Sequence, residues 1–446
     1  MNINFRRGLD LKITGGVAEG APMTTITPRS IAIVPDDFPG FTAKLDVKPG
    51  DTVTTGQTLM HDKIFTDINI VSPVTGTVRD VVRGERRKIL RVVVDTAETS
   101  AEPSKVNVDT TSAEYIKRAM MQGGVWVLMR QRPYDIVPSP ETVPVNIFVT
   151  AFDSAPLAPM LSAEVTGKDA EICAGLKALA SLTTGKVYVG VRASNQRALP
   201  AEVERVEISG PHPAGNAGVQ ASAIAPVNKG ETIWTMDIVT VARIGALLLT
   251  GTAFWNTHVA VTGPDVITPT VIKTIIGADI DQLIAGNVTD TLRHKRIISG
   301  NILTGHKVSE DGYLRYPYRQ ITVMDEGDDT DEFMGWASLS SEKMSTSRSF
   351  FSWLTPNKSY APDARLLGGK RSMIMSGLYD KVMPMDIIPE YLIKAILSGD
   401  IDRMEALGIY EVAPEDFALC EYIDPSKLEL QKIVRQGLDY LRKELA

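Results

Sequence analysis

Short β-rich runs alternate with glycine-bearing turns over residues 30–97, and this pattern limits what the first part of the chain can become. Two of these stretches read "VKPGDTVTTGQTL" (Val47 to Leu59) and "VSPVTGTV" (Val71 to Val78). Extended residues bounded by Gly, Pro and Asp are typical of strands joined by tight turns. The sequence therefore predicts an all-β module at this end of the chain.

The hairpin between the two stretches carries one lysine, Lys63. Its layout resembles the barrel-sandwich fold of biotinyl and lipoyl carrier domains, in which a hairpin tip presents the modified lysine and Pro-x-x-Gly follows. Pro73 and Gly76 match, but Pro73 lies ten residues after Lys63, two more than in the carriers. Because hairpin register and turn type are coupled, this shift moves the lysine off a symmetric tip. We expect a structural module; the alternative function is an autonomous biotin- or lipoyl-type carrier or transferase modified at Lys63.

The pattern changes after residue 105, where strand-like and helix-like segments alternate. "PVNIFVTAFD" is a near-continuous apolar run typical of a buried parallel strand, and "KDAEICAGLKALASLTTG" places apolar residues on one helical face before a glycine stop. The strands "KVYVGV" and "RVEISG" follow. Strand, helix and strand at these lengths form a βαβ unit, so we predict a Rossmann-like α/β domain with a doubly wound sheet.

This predicted domain lacks the usual nucleotide-binding motifs. A dinucleotide site needs G-x-G-x-x-G after the first strand, where the sequence reads "FDSAPLAPM". The stretch "GGKRS" also lacks the earlier glycine of a P-loop. We therefore expect no NAD, FAD or ATP site of the usual kind.

Two loops carry the candidate ligand or partner contacts. The loop "GPHPAGNAGVQ" follows a predicted strand, and its glycines, Gly215 among them, allow close backbone approach, while His212 offers a hydrogen bond to a carbonyl or anion. In "VWVLMRQRPYD", Arg130 and Arg132 are suited to bind a phosphate or a partner carboxylate. The alternatives are a structural turn with a surface histidine, and arginines that are solvated or salt-bridged at a strand end.

Charge and composition exclude several function classes. The chain has 47 basic and 54 acidic residues, a net charge of −7 that argues against a nucleic-acid partner. Its two cysteines, Cys173 and Cys420, form neither a disulfide framework nor a thiolate zinc site, and the histidines show no metal-binding spacing. We expect no metal site and no catalytic constellation.

The most apolar stretch, "ARIGALLLTGTAF", is shorter than the roughly 20 residues that span a bilayer and contains Arg243. Near the N-terminus, Asp10 and Lys12 stand where a signal peptide needs an apolar run. We therefore expect membrane association only through partner proteins.

The remaining chain divides into three more predicted blocks. Residues 258–320 give the strand, strand, helix and strand order that resembles the soluble-ligand-binding β-grasp (SLBB-like) domain. A β-rich return with "YRQITVMD" and "MGWASL" precedes two helical stretches that carry apolar residues at three and four spacings. The predicted organisation is multidomain, α+β and α/β, with boundaries at 1–104, 105–257, 258–320, 321–383 and 384–446.

Motifs in this order are spread over nearly the whole chain: "RRGLDLKI", "SPVTGTV", "RQRPYD", "LTTGKVYV", "GPHPAGNAG", "RIISGNILTG" and "FALCEYIDP". The chain resembles the A-subunit family of sodium-translocating NADH:quinone oxidoreductases. More distantly it is similar to the C subunit of Rnf complexes and to the flavin- and NADH-binding subunit of respiratory complex I.

The resemblance implies a peripheral subunit on the cytoplasmic face of the bacterial inner membrane, with other subunits, including integral ones, as partners. Such a complex passes electrons from NADH through flavins and iron–sulfur centres to ubiquinone and pumps sodium. The Rnf relative holds clusters through runs of cysteines, whereas "ALCEYIDP" keeps Cys420 alone, with Asp424 before Pro425. The resemblance thus implies a chain that binds no redox cofactor, is not catalytic in isolation, and takes part in quinone interaction and assembly.

Overall fold

A computed structural model describes residues 1–99, 101–291, 293–308, 312–329, 342–346 and 350–445. The predicted strand "MGWASL" and the last residues of the acidic run "DEGDDTDEF" lie outside these ranges. The strands, in chain order, are β1 (Asn2–Asn4), β2 (Met23–Thr25), β3 (Ser30–Ile33), β4 (Ala43–Leu45), β5 (Thr52–Val53), β6 (Thr58–Asp62), β7 (Asn69–Val71), β8 (Gly76–Arg83), β9 (Ile89–Thr96), β10 (Arg130–Arg132), β11 (Asn146–Thr150), β12 (Val187–Val191), β13 (Val203–Ser209), β14 (Ile233–Asp237), β15 (Asn256–Thr262), β16 (Thr270–Ile275), β17 (Lys295–Ser299), β18 (His306–Val308) and β19 (Gln320–Asp325). The α-helices are α1 (Ala113–Gln122), α2 (Leu161–Glu164), α3 (Asp169–Ala180), α4 (Ala217–Ile224), α5 (Ile238–Thr250), α6 (Ile280–Ile284), α7 (Pro389–Ser398), α8 (Ile401–Ala406), α9 (Ala418–Ile423) and α10 (Leu430–Leu445).

Two small antiparallel sheets form the N-terminal module, with strand orders β3-β9-β8-β5 and β4-β6-β7. Side chains alternate between core and solvent along β8, where Val78 is buried while Thr77 and Arg79 are exposed. This period of two is what a half-buried strand requires. Val53, Leu59 and Val92 are fully buried in the same core, so the predicted all-β module is present.

A six-stranded α/β sheet follows, with the order β1-β13-β12-β11-β14-β10. In this sheet β13, β12 and β11 each pair in parallel with both neighbours, and the outer strand β1 is parallel to β13. Strand β14 is parallel to β11, and β10 pairs with β14 in the antiparallel direction. The chain order therefore reverses direction between β11 and β14, as in doubly wound sheets. Helices α3 and α5 cover one face and touch through glycines: a Cβ on Gly245 would lie 1.7 Å from the carbonyl oxygen of Glu171, and one on Gly175 would lie 2.3 Å from that of Val241.

A second six-stranded sheet mixes parallel and antiparallel pairs in the order β18-β17-β19-β15-β16-β2. We call it the mixed sheet. Its core contains Val259, Val261, Leu283 and Ile321, all buried.

The first 25 residues join sheets outside the N-terminal module to which the sequence assigned them. Strand β1 pairs with β13 in the α/β sheet, and β2 pairs with β16 in the mixed sheet. Both strands are three residues long and mostly exposed, so they carry no hydrophobic period from which their partners could be predicted.

The C-terminal helices pack on the second face of the α/β sheet. Phe148 of β11 and Ile208 of β13 share one buried core with Leu392 of α7 and Leu438 of α10. The stretch "EYLIKAILSGDIDRMEALGI", predicted as helical, is broken into α7 and α8 at Gly399. Its φ of 68° is the left-handed conformation that ends helices.

Candidate functional site

The crevice where the strand order reverses, at the carboxyl ends of β11 and β14, is where open α/β sheets usually bind ligands. In this chain its rim is formed by the loop after β11, by the short helix α2 and by Asp237, which caps α5 by accepting a hydrogen bond from Thr240 N at 2.7 Å. The mixed sheet packs over this rim and places Arg319 and Gln320 against it.

Arg319 ties three elements together inside this crevice. Its Nη1 lies 2.6 Å from Asp237 Oδ2, and its Nε lies 3.0 Å from Glu164 Oε2 at the end of α2. Gln320 Nε2 donates a hydrogen bond of 3.2 Å to the carbonyl of Pro156, in the loop after β11. The chain's own side chains therefore pair with one another at the edge where open α/β sheets usually bind ligands.

A second buried arginine completes the cluster. Arg243 lies within α5 and is fully buried; its Nη2 is 3.5 Å from Glu164 Oε1 and donates to the carbonyl of Asn256 at 3.1 Å. Burial by itself would raise the pKa of Asp237, but Arg319 and the hydrogen bond from Thr240 outweigh it, so the pKa is lowered. The Asp237 carboxylate is thus ionised and forms an ion pair with the guanidinium group of Arg319.

We name Glu164, Asp237, Arg243 and Arg319 the interdomain ion cluster. The sequence patterns did not reveal it as a site. The available signal was Arg243 in an otherwise apolar stretch, because a charge within a buried helix requires a buried partner.

The predicted candidates His212 and Gly215 lie at the neighbouring carboxyl end of β13, and both contact Ser154 in the loop after β11. His212 Nδ1 lies 3.0 Å from Ser154 Oγ, and Gly215 N donates to the same Oγ at 2.8 Å. A Cβ on Gly215 would lie 2.6 Å from Ser154 N. The glycine thus permits close approach of a second loop rather than of a ligand.

His212 is buried, with 4% of its surface exposed, so the alternative of a surface histidine is wrong. Its backbone N–H donates to Asp10 Oδ1 at 2.8 Å. The imidazole is held inside the protein between two loops and the N-terminal segment. Burial lowers its pKa to about 4, and Asp10 offsets only part of that effect.

Because the pKa of His212 is lowered, the free energy of unfolding is expected to depend on pH. The imidazole of His212 takes up a proton near pH 6.5 in the unfolded state but only near pH 4 in the folded state. The contribution of His212 to the free energy of unfolding is therefore complete above pH 6.5 and is lost as the pH falls toward 4. Between pH 7 and pH 5, wild type is expected to lose about 2 kcal/mol more free energy of unfolding than His212→Gln. Urea titrations at both pH values measure this; equal losses in the two proteins would contradict it.

Arg130 and Arg132 are the first and last residues of strand β10, and both bond to groups of the chain itself. Arg130 donates to the carbonyls of Val127, Met129 and Asp37 at 3.1, 3.1 and 2.7 Å. Arg130 therefore joins the α/β domain to the N-terminal module. Its contact with a phosphate, a quinone or a partner stays a prediction.

Arg132 binds the C-terminal helices instead. Its Nη1 lies 2.7 Å from Asp416 Oδ2, and the arginine and aspartate side chains are 2% and 0% exposed. Its guanidinium packs on Gly218, where a Cβ would lie 1.8 Å from Nη2. The salt-bridged alternative holds for Arg132, but in the interior rather than at a solvated strand end.

Lys63 is exposed in a turn that begins at Asp62 and ends at Ile68. Asp62 Oδ1 accepts hydrogen bonds from Ile64 N and Phe65 N at 2.8 and 3.0 Å, and Lys63 N donates to the carbonyl of Thr42 at 2.9 Å. This is a longer, side-chain-capped turn rather than the symmetric two-residue tip of a carrier hairpin.

The helical end does not fit an iron–sulfur cluster. Cys420 is buried on α9 among apolar side chains, and Cys173 lies half-buried on α3. Burial and the neighbouring carboxylates Asp380 and Asp416 raise the pKa of the Cys420 thiol. Clusters need several thiolates at one place, whereas this position offers one protonated thiol.

Three possible metal ligands do meet on the surface, although the sequence predicted no metal site. His294, Asp328 and Asp329 place one ligand atom each within 4.8 Å of one another, and all three are exposed. His294 Nδ1 is 3.1 Å from Asp328 Oδ1, which raises the pKa of the histidine. This is the geometry of an exposed ion pair.

Within the part of the chain that the structure describes, no helix combines the length and the apolar character needed to cross a bilayer.

Three protein-family models match successive parts of the chain. The "NqrA N-terminal barrel-sandwich hybrid domain" matches residues 3–97, the "NqrA second alpha/beta domain" matches residues 111–253, and the "NQRA C-terminal domain" matches residues 258–310. The first segment contains the all-β module, the second contains β10 to β14 with α1 to α5, and the third contains most of β15 and all of β16, β17 and β18 of the mixed sheet.

Whole-chain relatives share one description, the A subunit of the Na(+)-translocating NADH-quinone reductase. The chain is 36% identical to the protein of that description from Saccharophagus degradans, with 99% of this chain and 100% of that protein covered. It is 35% identical to the one from Rhodopirellula baltica, covering 99% and 98%. For Vibrio parahaemolyticus the identity is 33%, with 99% and 100% covered.

Proposed function

This chain belongs to the family of the A subunit of the Na+-translocating NADH-quinone reductase, and we propose that it serves such a complex as a peripheral subunit without a redox cofactor of its own. In this proposal it lies at the cytoplasmic face of the bacterial inner membrane. It docks on integral membrane subunits, takes part in the quinone reaction named in its relatives, and is not catalytic in isolation.

The filled crevice is the observation that carries the cofactor-free role. Arg319 pairs with both Asp237 and Glu164 there, where a nicotinamide or flavin dinucleotide would otherwise bind. Opening it would separate two buried carboxylates from their guanidinium partner. The single buried thiol of Cys420 supports the same conclusion for iron–sulfur clusters.

Purification of the tagged full-length chain from detergent-solubilised membranes tests complex membership. Integral membrane subunits and NADH-quinone reductase activity are expected to co-purify with it. Recovery of the chain alone, while the activity stays with other proteins, would contradict the proposal.

The cofactor-free role needs a separate measurement on the chain released from the complex. Its visible absorbance is expected to show no stoichiometric flavin or iron. A flavin or cluster spectrum in the isolated chain would leave complex membership intact and overturn the cofactor-free role.

A further inference from the structure

Exposed apolar side chains are concentrated toward the end of the chain. More than half of the large hydrophobic residues that are exposed in the described structure lie after residue 350. Three of them, Ile374, Met375 and Tyr391, have 46%, 38% and 57% of their surfaces exposed and lie close together. A patch of exposed apolar groups on a folded protein marks a site of interaction.

Hydrogen bonds fix the segment that carries Ile374 beside the start of α7. Ile374 N donates to Ser426 Oγ at 3.0 Å, and Gly377 N donates to Glu390 Oε1 at 2.7 Å. Both acceptors belong to buried residues. Tyr391 follows Glu390 on α7 and is exposed to solvent. The apolar side chains therefore stand on one fixed surface, because buried polar groups hold their backbone in place.

Two cations lie next to these apolar side chains on the same elements. Arg371 N donates to the carbonyl of Ser426 at 3.0 Å, which places Arg371 on the segment that carries Ile374. On α7, Lys394 lies three residues after Tyr391 and hence on the same face of the helix. Both cations are exposed, and neither forms an ion pair within the part of the chain that the structure describes.

The acidic groups on these elements do not offset the positive charge. Residues 370–377, α7 and residues 426–432 contain five cations and only two carboxylates, Glu390 and Glu429. Glu390 is buried, and Glu429 already pairs with Lys370 and Lys432. The surface is therefore positive, although the chain has a net charge of −7. We name the following residues the basic apolar surface: Lys370, Arg371, Ile374, Met375, Tyr391 and Lys394.

The sign of this charge distinguishes between two kinds of partner at a membrane. The cytoplasmic loops of integral membrane proteins carry an excess of Lys and Arg, so they repel a positive surface. The cytoplasmic leaflet contains anionic lipids and attracts basic residues. Apolar and aromatic side chains enter such a leaflet at the level of the headgroups, while the long side chains of Lys and Arg reach the phosphates. A lipid surface is thus the better match.

We propose that the basic apolar surface binds the anionic headgroups of the membrane directly. Its three cations bond to lipid phosphates, and its three apolar side chains enter the boundary between headgroups and acyl chains. This inference rests on the membrane location proposed above. It adds a direct lipid contact to docking through partner proteins, which was the only route of membrane association that the sequence predicted.

Cosedimentation of the full-length chain with lipid vesicles tests the surface. The chain is expected to bind vesicles that contain phosphatidylglycerol, less so as salt is added, and not to bind vesicles of phosphatidylcholine alone. Arg371→Gln with Lys394→Gln should weaken binding to the anionic vesicles at least about tenfold, because two charges are removed. The control, Lys44→Gln with Lys48→Gln, makes the same charge change at exposed positions of the N-terminal module and should leave binding unchanged.

A second variant tests the apolar part of the surface. Ile374→Ser with Tyr391→Ser keeps every charge and is expected to weaken binding to the anionic vesicles, because less apolar area enters the headgroup boundary. Circular dichroism of each variant separates lost binding from lost folding. Undiminished binding in this variant would reduce the interaction to unspecific attraction of charges and overturn the proposal.

Three further outcomes would overturn it: no sedimentation with anionic vesicles, equal binding to neutral vesicles, and equal weakening by the control. If the wild-type chain ignored vesicles while the Arg371 and Lys394 variant no longer co-purified with integral subunits, the surface would be a protein contact instead. Vesicle binding uses the isolated chain, whereas complex membership is measured by co-purification from membranes. Failure of the lipid contact is therefore distinguishable from failure of the proposed function.

Discussion

Replacement of Arg319 by methionine is expected to lower the free energy of unfolding by about 3–5 kcal/mol, because it removes the ion-pair partner of buried Asp237 and leaves buried Glu164 with Arg243 alone. Arg319 is the one residue of the interdomain ion cluster that pairs with both Asp237 and Glu164. Methionine keeps much of the side-chain volume, so the loss is mainly electrostatic. Chemical denaturation of wild type and variant at neutral pH measures it.

A matched control removes a cation from an exposed ion pair. Lys186 Nζ lies 2.7 Å from Glu204 Oε1, and the two side chains are 58% and 52% exposed. Lys186→Met is therefore expected to leave the free energy of unfolding nearly unchanged. If the Arg319 and Lys186 variants lost similar amounts, the cluster would not hold the mixed sheet against the α/β sheet.

Arg132→Met is expected to destabilise the chain by a comparable amount, about 3–5 kcal/mol, at a different interface. Its removal strands the carboxylate of Asp416, which is 0% exposed, between the α/β sheet and the C-terminal helices. Denaturation followed by fluorescence is the measurement. Because the chain has tryptophans near β14 but none after Trp353, a separate circular dichroism transition would report early loss of the C-terminal helices.

The double variant Arg132→Met with Asp416→Asn distinguishes a stranded charge from lost packing. Asparagine removes the charge and keeps an oxygen for the hydrogen bond that Asp416 accepts from Ala413 N at 2.8 Å. The double variant should recover about 1–3 kcal/mol relative to the single variant. No recovery would mean that packing of the guanidinium on Gly218 carries the effect.

Local patterns predicted the elements with regular periods. The helix α3, the strands β11 and β12 and the final helix α10 lie where apolar spacing and glycine stops indicated, because these signals depend on neighbours along the chain. The short strands β1 and β2 carried no such signal. Their partners are fixed by pairing with distant strands.

The structure shows where the predicted site residues lie, whereas their role as ligand or partner contacts stays a prediction. The loop with His212 and Gly215 does lie at the carboxyl edge of the α/β sheet, as expected of a loop following a parallel strand. His212 faces Ser154, and the sequence could not predict this contact because Ser154 lies in a second loop, distant along the chain.

The sequence by itself determined the family, the order of the all-β, α/β and helical parts, and the absence of glycine motifs and clustered cysteines, since these follow from which residues are present and how they are spaced. Tertiary structure alone decided that the crevice is filled by the chain's own ion pairs and that Arg132 and Arg319 join separate parts of the chain in its interior. The reason is physical: the free energy of a buried charge depends on the partner within a few ångströms, and that partner is brought there by the packing of distant segments.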